Sequence, residues 1–110
     1  MQQSELLKGA LDLAVLGSVG RGESYGYEVL QRLAAAGLEG VGDASVYGSL
    51  KRLEAQGYLR SRLEASPQGP ARRYYSRTAA GGTWFRQSGA VWRRFATAID
   101  AVLEEGGRVK

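Results

Sequence analysis

Hydrophobic positions recur along the chain at spacings that predict four helices and one β-hairpin. We expect the first helix from Glu5 to about Val19, with Ser4 as its N-cap and a Gly20-Arg21-Gly22 turn at its end. Its apolar residues cover more than one face, which predicts burial on more than one side. The second helix is expected from about Tyr25 to Ala36, with Ser24 as its candidate N-cap. Three residues of this second helix are expected to point inward: Val29, Leu30 and Leu33.

The third predicted helix carries one narrow apolar stripe and one polar face. Asp43 is its candidate N-cap, and Gly57 is expected to end it as a C′ glycine. Val46, Leu50 and Leu53 stand at spacings of four and three, so we assign them to the core. The other side of the helix shows Ser45, Gly48, Ser49 and Arg52, with Tyr47 and Lys51 at the flank.

Alternating residues after Gly57 predict a two-stranded hairpin. It comprises Tyr58–Leu63, a turn at Ser66–Pro70, and Arg72–Tyr75. Because side chains alternate between the two faces of a strand, Leu59 and Leu63 are expected to face the core. The adjacent Tyr74 and Tyr75 must point to opposite faces, so only one of them is expected in the core.

A long amphipathic helix is expected from about Ala79 to Glu105, with Thr78 as its N-cap. Its a/d seam repeats at spacings of 3, 4, 3, 4 and 3, through Phe85, Ser88, Trp92, Phe95, Ile99 and Val102. Such a seam is typical of helices that pack against other helices. It offers more apolar surface than a small domain needs to cover, which predicts a partner helix, most simply from a second copy of the chain.

The order of these elements is that of a winged helix-turn-helix with one added helix. The predicted fold is mainly α, with a small two-stranded β wing and a long C-terminal dimerisation helix. We divide the chain into residues 1–78, a winged helix-turn-helix DNA-binding domain, and residues 79–110, the dimerisation helix. The last five residues are expected to fray.

Composition excludes several classes of function. The chain of 110 residues contains neither cysteine nor histidine, which argues against disulfide scaffolds, zinc sites and Ser-His triads. No carboxylate pair is placed for acid–base chemistry, so we expect no enzyme and no cofactor. No apolar run approaches the roughly 20 residues needed to cross a bilayer, and the N-terminus lacks the basic start of a signal peptide. A cytoplasmic protein without a membrane partner is the expectation.

The excess positive charge falls on the third helix and the hairpin. From Asp43 to Thr78 there are seven basic and three acidic residues, a net charge of +4, whereas the rest of the chain has eight of each. The seven basic residues are Lys51, Arg52, Arg60, Arg62, Arg72, Arg73 and Arg77. Basic charge concentrated on one segment is typical of a nucleic-acid binder.

Five motifs together resemble the PadR family of bacterial transcriptional regulators, nearly from end to end of the chain. They are, in order, Leu6–Leu13, Tyr25–Val29, Ser45–Gly57, Gly69–Tyr75 and Thr78–Gly81. The second reads YGYEV where the family has HGYEI, and the third reads SVYGSLKRLEAQG where the family has TLYPALxRLExxG. The single last helix resembles the short subfamily. This chain departs from the pattern at Tyr25 (usually histidine), Gly48 (proline), Ala71 (arginine) and Arg77 (leucine).

The resemblance implies a homodimer that binds a palindromic operator in double-stranded DNA, usually as a repressor. The third helix would enter the major groove, and the wing would contact the backbone or the minor groove. The residues expected to contact DNA are Tyr27, Ser45, Tyr47, Ser49, Lys51, Arg52, Gln68, Gly69, Arg72 and Arg73. For Tyr47 the sequence leaves packing and DNA contact equally open.

Trp92 supports a second hypothesis. In some multidrug-sensing PadR proteins, a tryptophan at the matching position stacks on planar drugs at the dimer interface. The residues expected to line such a site are Trp92, Phe95, Val91, Leu11 and Val15. The alternative, that Trp92 only fills the dimer core, is favoured because aromatic stripes at helical spacing usually pack.

Other functions are less well supported by the sequence. A winged helix used for protein–protein contact is the main alternative, but it would predict a neutral or apolar third helix. RNA binding is permitted by the fold, although no aromatic stacking platform is evident.

Overall fold

A computed structural model describes the backbone of residues 1, 3–20 and 22–108. The elements are α1 (Gln3–Leu7), α2 (Leu11–Val19), β1 (Ser24–Tyr25), α3 (Gly26–Ala35), α4 (Asp43–Ala55), β2 (Leu59–Ser66), β3 (Gly69–Arg77) and α5 (Ala79–Gly107). The mainly α fold with a β wing and a long last helix is therefore confirmed. The expectations for the Ser4 side chain, for Arg21 and for the final two residues lie outside what is described.

The predicted first helix is wrong in one respect, because it is two helices. A turn at Lys8–Ala10 separates α1 from α2, and the amide of Ala10 donates to the Leu7 carbonyl at 2.9 Å. Gly9 lies in this turn, where its weak helix propensity favours a break. The short α1 is tied to the loop before α4, since the Gln3 side chain accepts a hydrogen bond from the Glu39 amide at 2.8 Å.

The second helix begins later than predicted, because Ser24 and Tyr25 form a strand. Ser24 is not the N-cap: its buried hydroxyl donates to the Val19 carbonyl at 2.7 Å. Tyr25 occupies the N-cap position instead, and its amide donates to the Glu28 carboxylate at 3.0 Å. The strand β1 pairs with β3, so the predicted two-stranded sheet has three antiparallel strands in the order β1-β3-β2. A two-residue strand carries too little pattern to be recognised in sequence.

The ends of α4 match the sequence at one side only. Asp43 is the first residue of α4 and not its cap; Gly42 occupies the cap position without a side-chain hydrogen bond. The C-terminal prediction is confirmed, since Gly57 has a φ of 84°. The amide of Tyr58 donates to the Leu53 carbonyl at 2.9 Å, which completes a Schellman motif.

The two long strands of the wing reach beyond the core. Leu59 is buried, but Leu63 is 59% exposed, so its predicted core position is wrong. Leu63 lies opposite Arg73, too far toward the tip for any helix to cover it. Tyr75 is the one core tyrosine of its pair, as predicted, and Tyr74 is only half-buried.

One hydrophobic core joins α2, α3, α4 and the base of the wing. Its buried members are Val15, Leu16, Val19, Val29, Leu33, Val46, Leu50, Leu53, Leu59 and Tyr75. The predicted stripe of α4 is confirmed in full, and Leu30 packs against the core as a partly buried neighbour. None of the described helices combines the length and the apolar composition that a membrane-spanning segment needs.

The start of α5 is locked against the end of α4 and the base of the wing. Thr78 caps α5 as predicted, because its hydroxyl accepts from the Gly81 amide at 3.0 Å. The same hydroxyl donates to the Gly57 carbonyl at 2.6 Å. Gly81 lies so close to the chain before β2 that a Cβ atom there would stand 2.0 Å from the Tyr58 carbonyl oxygen. Trp84 then stacks on the Tyr58 ring at 5.2 Å, so the first turns of α5 belong to the same packed unit.

We expect Gly81→Ala to destabilise the fold, because its methyl group would collide with rigid backbone. Forced overpacking of this kind costs about 1–3 kcal/mol. Gly82→Ala is the matched control, since its Cβ would meet only the mobile end of Arg86, at 3.5 Å. That control is expected to gain about 0.5–1 kcal/mol from helix propensity. Urea unfolding followed by circular dichroism measures both; equal stability of the two variants would contradict the close approach.

Candidate nucleic-acid interface

The outer face of α4 presents three of the predicted DNA-contacting residues. Ser45, Tyr47 and Lys51 are exposed. The Tyr47 ring packs over the backbone of Gly26 at the start of α3, where an added Cβ would lie 2.3 Å from the ring. Tyr47 therefore packs its ring against the start of α3 and is still 48% exposed. The absent side chain at Gly26 is what allows Tyr47 to lie there.

Two other residues of α4 point toward α2 instead of outward. Ser49 is fully buried, and its hydroxyl donates to the Asp12 carboxylate at 2.6 Å. The prediction that Ser49 contacts DNA is therefore wrong, because it has neither an accessible surface nor a free donor. Arg52 is more exposed, yet its guanidinium also binds Asp12, at 2.8 and 3.3 Å. The ion pair with Asp12 thus neutralises much of the positive charge of Arg52.

Asp12 joins α2 to α4 through these contacts. Partial burial acts to raise the pKa of Asp12, but the hydrogen bonds from Arg52 and Ser49 and the charge of Arg52 outweigh it, so that this pKa lies below its ordinary value. The carboxylate is therefore ionised at neutral pH. No sequence motif indicated Asp12, since its partners are 37 and 40 residues away.

Two arginines of the wing are held by neighbouring side chains. Arg62 forms a two-point ion pair with Glu23, with both N–O distances 2.6 Å, and a longer contact of 3.4 Å with Glu64. The hydrogen bond from Arg62 lowers the pKa of Glu23. Arg73 donates to the Ser61 hydroxyl at 2.9 Å, and Ser61 donates in turn to Glu54 of α4 at 2.6 Å. The hydrogen bonds from Arg73 to Ser61 and from Ser61 to Glu54 therefore connect the wing with α4.

Arg77 also has a structural place. It ends β3, and its Nε donates to the Gly20 carbonyl at 3.2 Å. Its guanidinium lies 4.8 Å from the centre of the Phe85 ring. Arg77 therefore links the end of α2 to the start of α5 and lies away from the wing tip.

Within the described part of the chain, three cations of the basic segment have neither an ion pair nor a side-chain hydrogen bond: Lys51, Arg60 and Arg72. Arg72 stacks its guanidinium 4.6 Å from the centre of the Tyr25 ring. It lines a cleft of about 240 Å³ between the wing and α4, together with Arg73, Tyr47 and Tyr25. The cleft thus combines the guanidinium groups of Arg72 and Arg73 with the exposed Tyr47 side chain, and this combination suits an anion.

The remaining predicted contacts lie at the two ends of this surface. Gln68 and Gly69 are exposed at the tip of the wing, where the turn between β2 and β3 is only Pro67–Gln68. Tyr27 is 56% exposed in the first turn of α3. Sequence reasoning missed Tyr25 and Glu23, because only the strand pairing of β1 brings them beside the wing.

The residues predicted to bind a ligand do not form one site within the chain. Trp92 lines an open groove of about 310 Å³ between α2 and α5, with Leu13, Ala14, Gly17, Phe85, Gly89 and Arg93. Val15 is fully buried in the core, so its predicted place in the site is wrong. Leu11 lines a different concavity, beside α1 and the start of α4. Val91 and Phe95 are 56% and 63% exposed on the free part of α5.

Comparisons with known proteins agree on one family. Residues 15–87 match the model of the transcriptional regulator PadR-like family. A PadR family transcriptional regulator from Eggerthella lenta is 31% identical with a TM-score of 0.80, over 92% of this chain and 88% of that one. A PadR-like transcriptional regulator from Bacillus cereus is 30% identical with a TM-score of 0.77, over 90% and 96%. A Streptococcus transcriptional regulator is 32% identical with a TM-score of 0.74, over 89% and 96%.

Removal of the Asp12 charge is expected to destabilise the fold in a pH-dependent way. Because the pKa of Asp12 is lower in the folded chain than in the unfolded chain, its contribution is present above the unfolded value of 3.8 and is lost as pH falls through the folded value. We expect Asp12→Asn to lose about 1 kcal/mol at neutral pH, with the difference from wild type shrinking as the pH falls below the unfolded pKa of 3.8.

Urea unfolding at several pH values measures this difference. Asp100→Asn is the control, because Asp100 is exposed and has no ion pair in the described part of α5. A difference for Asp12→Asn that stays constant down to the most acidic pH would show that Asp12 is not a charged link between α2 and α4.

Proposed function

The chain belongs to the PadR-like family of transcriptional regulators, and we propose that it is a homodimeric repressor that binds a palindromic operator. Members of this family are DNA-binding regulators and not enzymes. The observation that carries the proposal is the position of the unpaired cations. Lys51 lies on the outer side of α4, and Arg60 and Arg72 lie on the wing beside it. Unpaired basic residues on adjacent elements suit the phosphates of duplex DNA.

In the proposed complex, the first half of α4 enters the major groove. Ser45 and Tyr47 would donate to base edges or phosphates, and Lys51 would neutralise a phosphate. The wing tip, with Gln68 and Gly69, would lie along the backbone or the minor groove. Tyr27, at the start of α3, is proposed as a further backbone contact. Few of these groups reach bases, so most of the affinity would be electrostatic and would fall with salt.

The second half of α5 supports the proposed dimer. From Val91 onward its apolar side chains are largely exposed: Val91, Trp92, Phe95, Ile99, Val102 and Leu103 are between 43% and 67% accessible. A contiguous apolar stripe of this length is unusual on a monomer surface. A second copy would cover the stripe with an identical one, as two-fold interfaces do. We therefore propose residues 79–110 as the dimerisation helix and residues 1–78 as the DNA-binding domain.

Release by a small planar ligand is a further hypothesis, and it rests on Trp92 alone. The ring is 49% exposed beside the groove between α2 and α5, close to Arg93. In a dimer, this groove would be closed by the second copy, either around a ligand or by packing. Packing of Trp92 in the dimer core remains the favoured alternative, since the same exposure is expected of any interface aromatic.

A winged helix that binds only other proteins is the alternative function. It is disfavoured because the outward residues of α4 and the wing are polar or cationic, whereas protein interfaces are depleted in lysine at their centres. The two functions differ in the salt dependence of duplex binding, which a protein-binding module would not show.

Charge reversal at Lys51 is expected to weaken binding to every duplex sequence. The reason is that Lys51 would contact a phosphate, so Lys51→Glu should lower affinity about tenfold or more and reduce the salt slope by about 1. Fluorescence anisotropy with the DNA upstream of the protein's own gene, and with random duplex, measures both quantities. Arg108→Glu makes the same change of net charge at the far end of α5 and should leave binding almost unchanged. Equal effects of the two variants would contradict the placement of α4 on DNA.

A charge in the apolar stripe is expected to separate the dimer. Phe95→Glu should shift the chain from dimer to monomer in analytical ultracentrifugation, because an unpaired carboxylate would be buried between the helices. Thr97→Glu, on the other side of α5, should remain dimeric. A dimeric Phe95→Glu variant, or a monomeric wild type at micromolar concentration, would refute the proposed interface.

A further inference from the structure

A row of stacked side chains runs along one face of the wing. Across the strands Tyr25 pairs with Tyr74, and Arg62 pairs with the same tyrosine. Because alternate residues share a face, Arg72 lies on this face as well. The cross-strand pairing thus places two cations and two aromatic rings side by side.

The distances show that these side chains form a continuous stack. The Arg62 guanidinium lies 5.1 Å from the centre of the Tyr74 ring. The Tyr74 and Tyr25 rings meet edge to face at 5.6 Å, with an interplanar angle of 65°. The Arg72 guanidinium lies 4.6 Å from the centre of the Tyr25 ring. Glu23 closes the row at the other end through its ion pair with Arg62.

We propose that Tyr25 is a positioning residue that holds Arg72 in the cleft beside α4, where Arg72 binds a phosphate of duplex DNA. The inference rests on the proposed DNA-binding function. A guanidinium stacked on a ring keeps its N–H groups free at its edge, and Arg72 makes no ion pair with the described residues. The N–H groups at the edge of the Arg72 guanidinium are therefore available to an anion in the cleft, which Tyr47 and Arg73 also line.

The need for such a platform follows from the shape of the sheet. The strand β1 pairs with β3 only at Tyr74 and Tyr75, so the outer wing is a two-stranded ribbon, which is marginally stable by itself. A long arginine on this ribbon would otherwise lose much side-chain freedom on binding. Stacking on Tyr25, which is anchored at the start of α3, restricts Arg72 before DNA arrives. Tyr25 would thus raise affinity without touching DNA.

The test is a double-mutant cycle on binding to a mixed-sequence duplex of about three helical turns, since phosphate contacts do not depend on sequence. Tyr25→Leu keeps an apolar side chain but removes the ring, whereas Tyr25→Phe keeps the ring. We expect Tyr25→Leu and Arg72→Ala each to weaken binding about fivefold or more, and Tyr25→Phe to bind like wild type. The double variant should be little weaker than Arg72→Ala alone, because Tyr25 acts through Arg72.

Arg60 supplies the control cycle, because among the described residues it has no ion pair and does not stack on the Tyr25 ring. Tyr25→Leu and Arg60→Ala should therefore weaken binding independently, with multiplied effects. Thermal unfolding by circular dichroism is measured on every variant. Wild-type binding of Tyr25→Leu or of Arg72→Ala, or multiplied effects of the two, would overturn the inference. If wild-type protein itself shows no salt-dependent binding to any duplex, the proposed function fails instead.

Discussion

The rest of the structure depends on the close contact between the start of α5 and the end of α4. At this point Gly57 turns the chain out of α4, Tyr58 leads into the wing, and Thr78 leads out of it. The Thr78 amide donates to the Tyr58 carbonyl at 3.1 Å, and Gly81 permits backbone to touch backbone. The helix α4, the wing and α5 therefore meet at one tightly packed contact. A change in the direction of α5 would therefore act on α4 and on the wing at this contact.

The net charge of the segment from Asp43 to Thr78 is larger than the positive charge that is available to a ligand. Seven basic residues lie between Asp43 and Thr78, but two of them, Arg52 and Arg62, are paired with acids from α2 and from the loop before β1. Exposed pairs of this kind contribute little stability, typically below about 1 kcal/mol. Their larger effect is geometric, because they hold α4 against α2 and the wing against the loop. Fewer cations are left without a partner among the described residues, and two of them, Lys51 and Arg72, lie on the surface that we propose contacts DNA.

The helix α2 also connects α4 with α5. The helix α2 contacts α4 through Asp12 on one side and packs the Phe85 ring against Gly17 on another, where an added Cβ would lie 2.8 Å from that ring. A displacement of α5 at the groove near Trp92 would therefore press on the element that carries Asp12. Such a connection is a physical route between the proposed dimer interface and the helix proposed to contact DNA, and it would act only if the two arrangements differ in free energy by a few kcal/mol.

The sequence alone determined the elements with strong local signals. The stripe of Val46, Leu50 and Leu53, the left-handed glycine at Gly57 and the cap at Thr78 were all predicted, because each depends on residues within one or two turns. The concentration of basic residues was also visible without coordinates. Predictions failed where a local signal competed with a distant partner. Ser24 has the chemistry of an N-cap but lies in a strand, and Leu63 fits the alternation of a buried strand but extends past the core.

Only the tertiary structure decided which polar side chains are available to a ligand. Ser45 and Ser49 both lie on α4 and both carry a hydroxyl group. Ser49 is nevertheless buried and donates to Asp12, whereas Ser45 is exposed. Arg62 and Arg72 stand on one hairpin, yet Arg62 is held by Glu23 and Arg72 lies on Tyr25 with its edge free. Helix and strand periodicity depend on neighbours in sequence, whereas a hydrogen bond or an ion pair depends on residues that folding brings from about 40 positions away. The pattern of the chain therefore determines the fold, and long-range packing determines which charges remain to act.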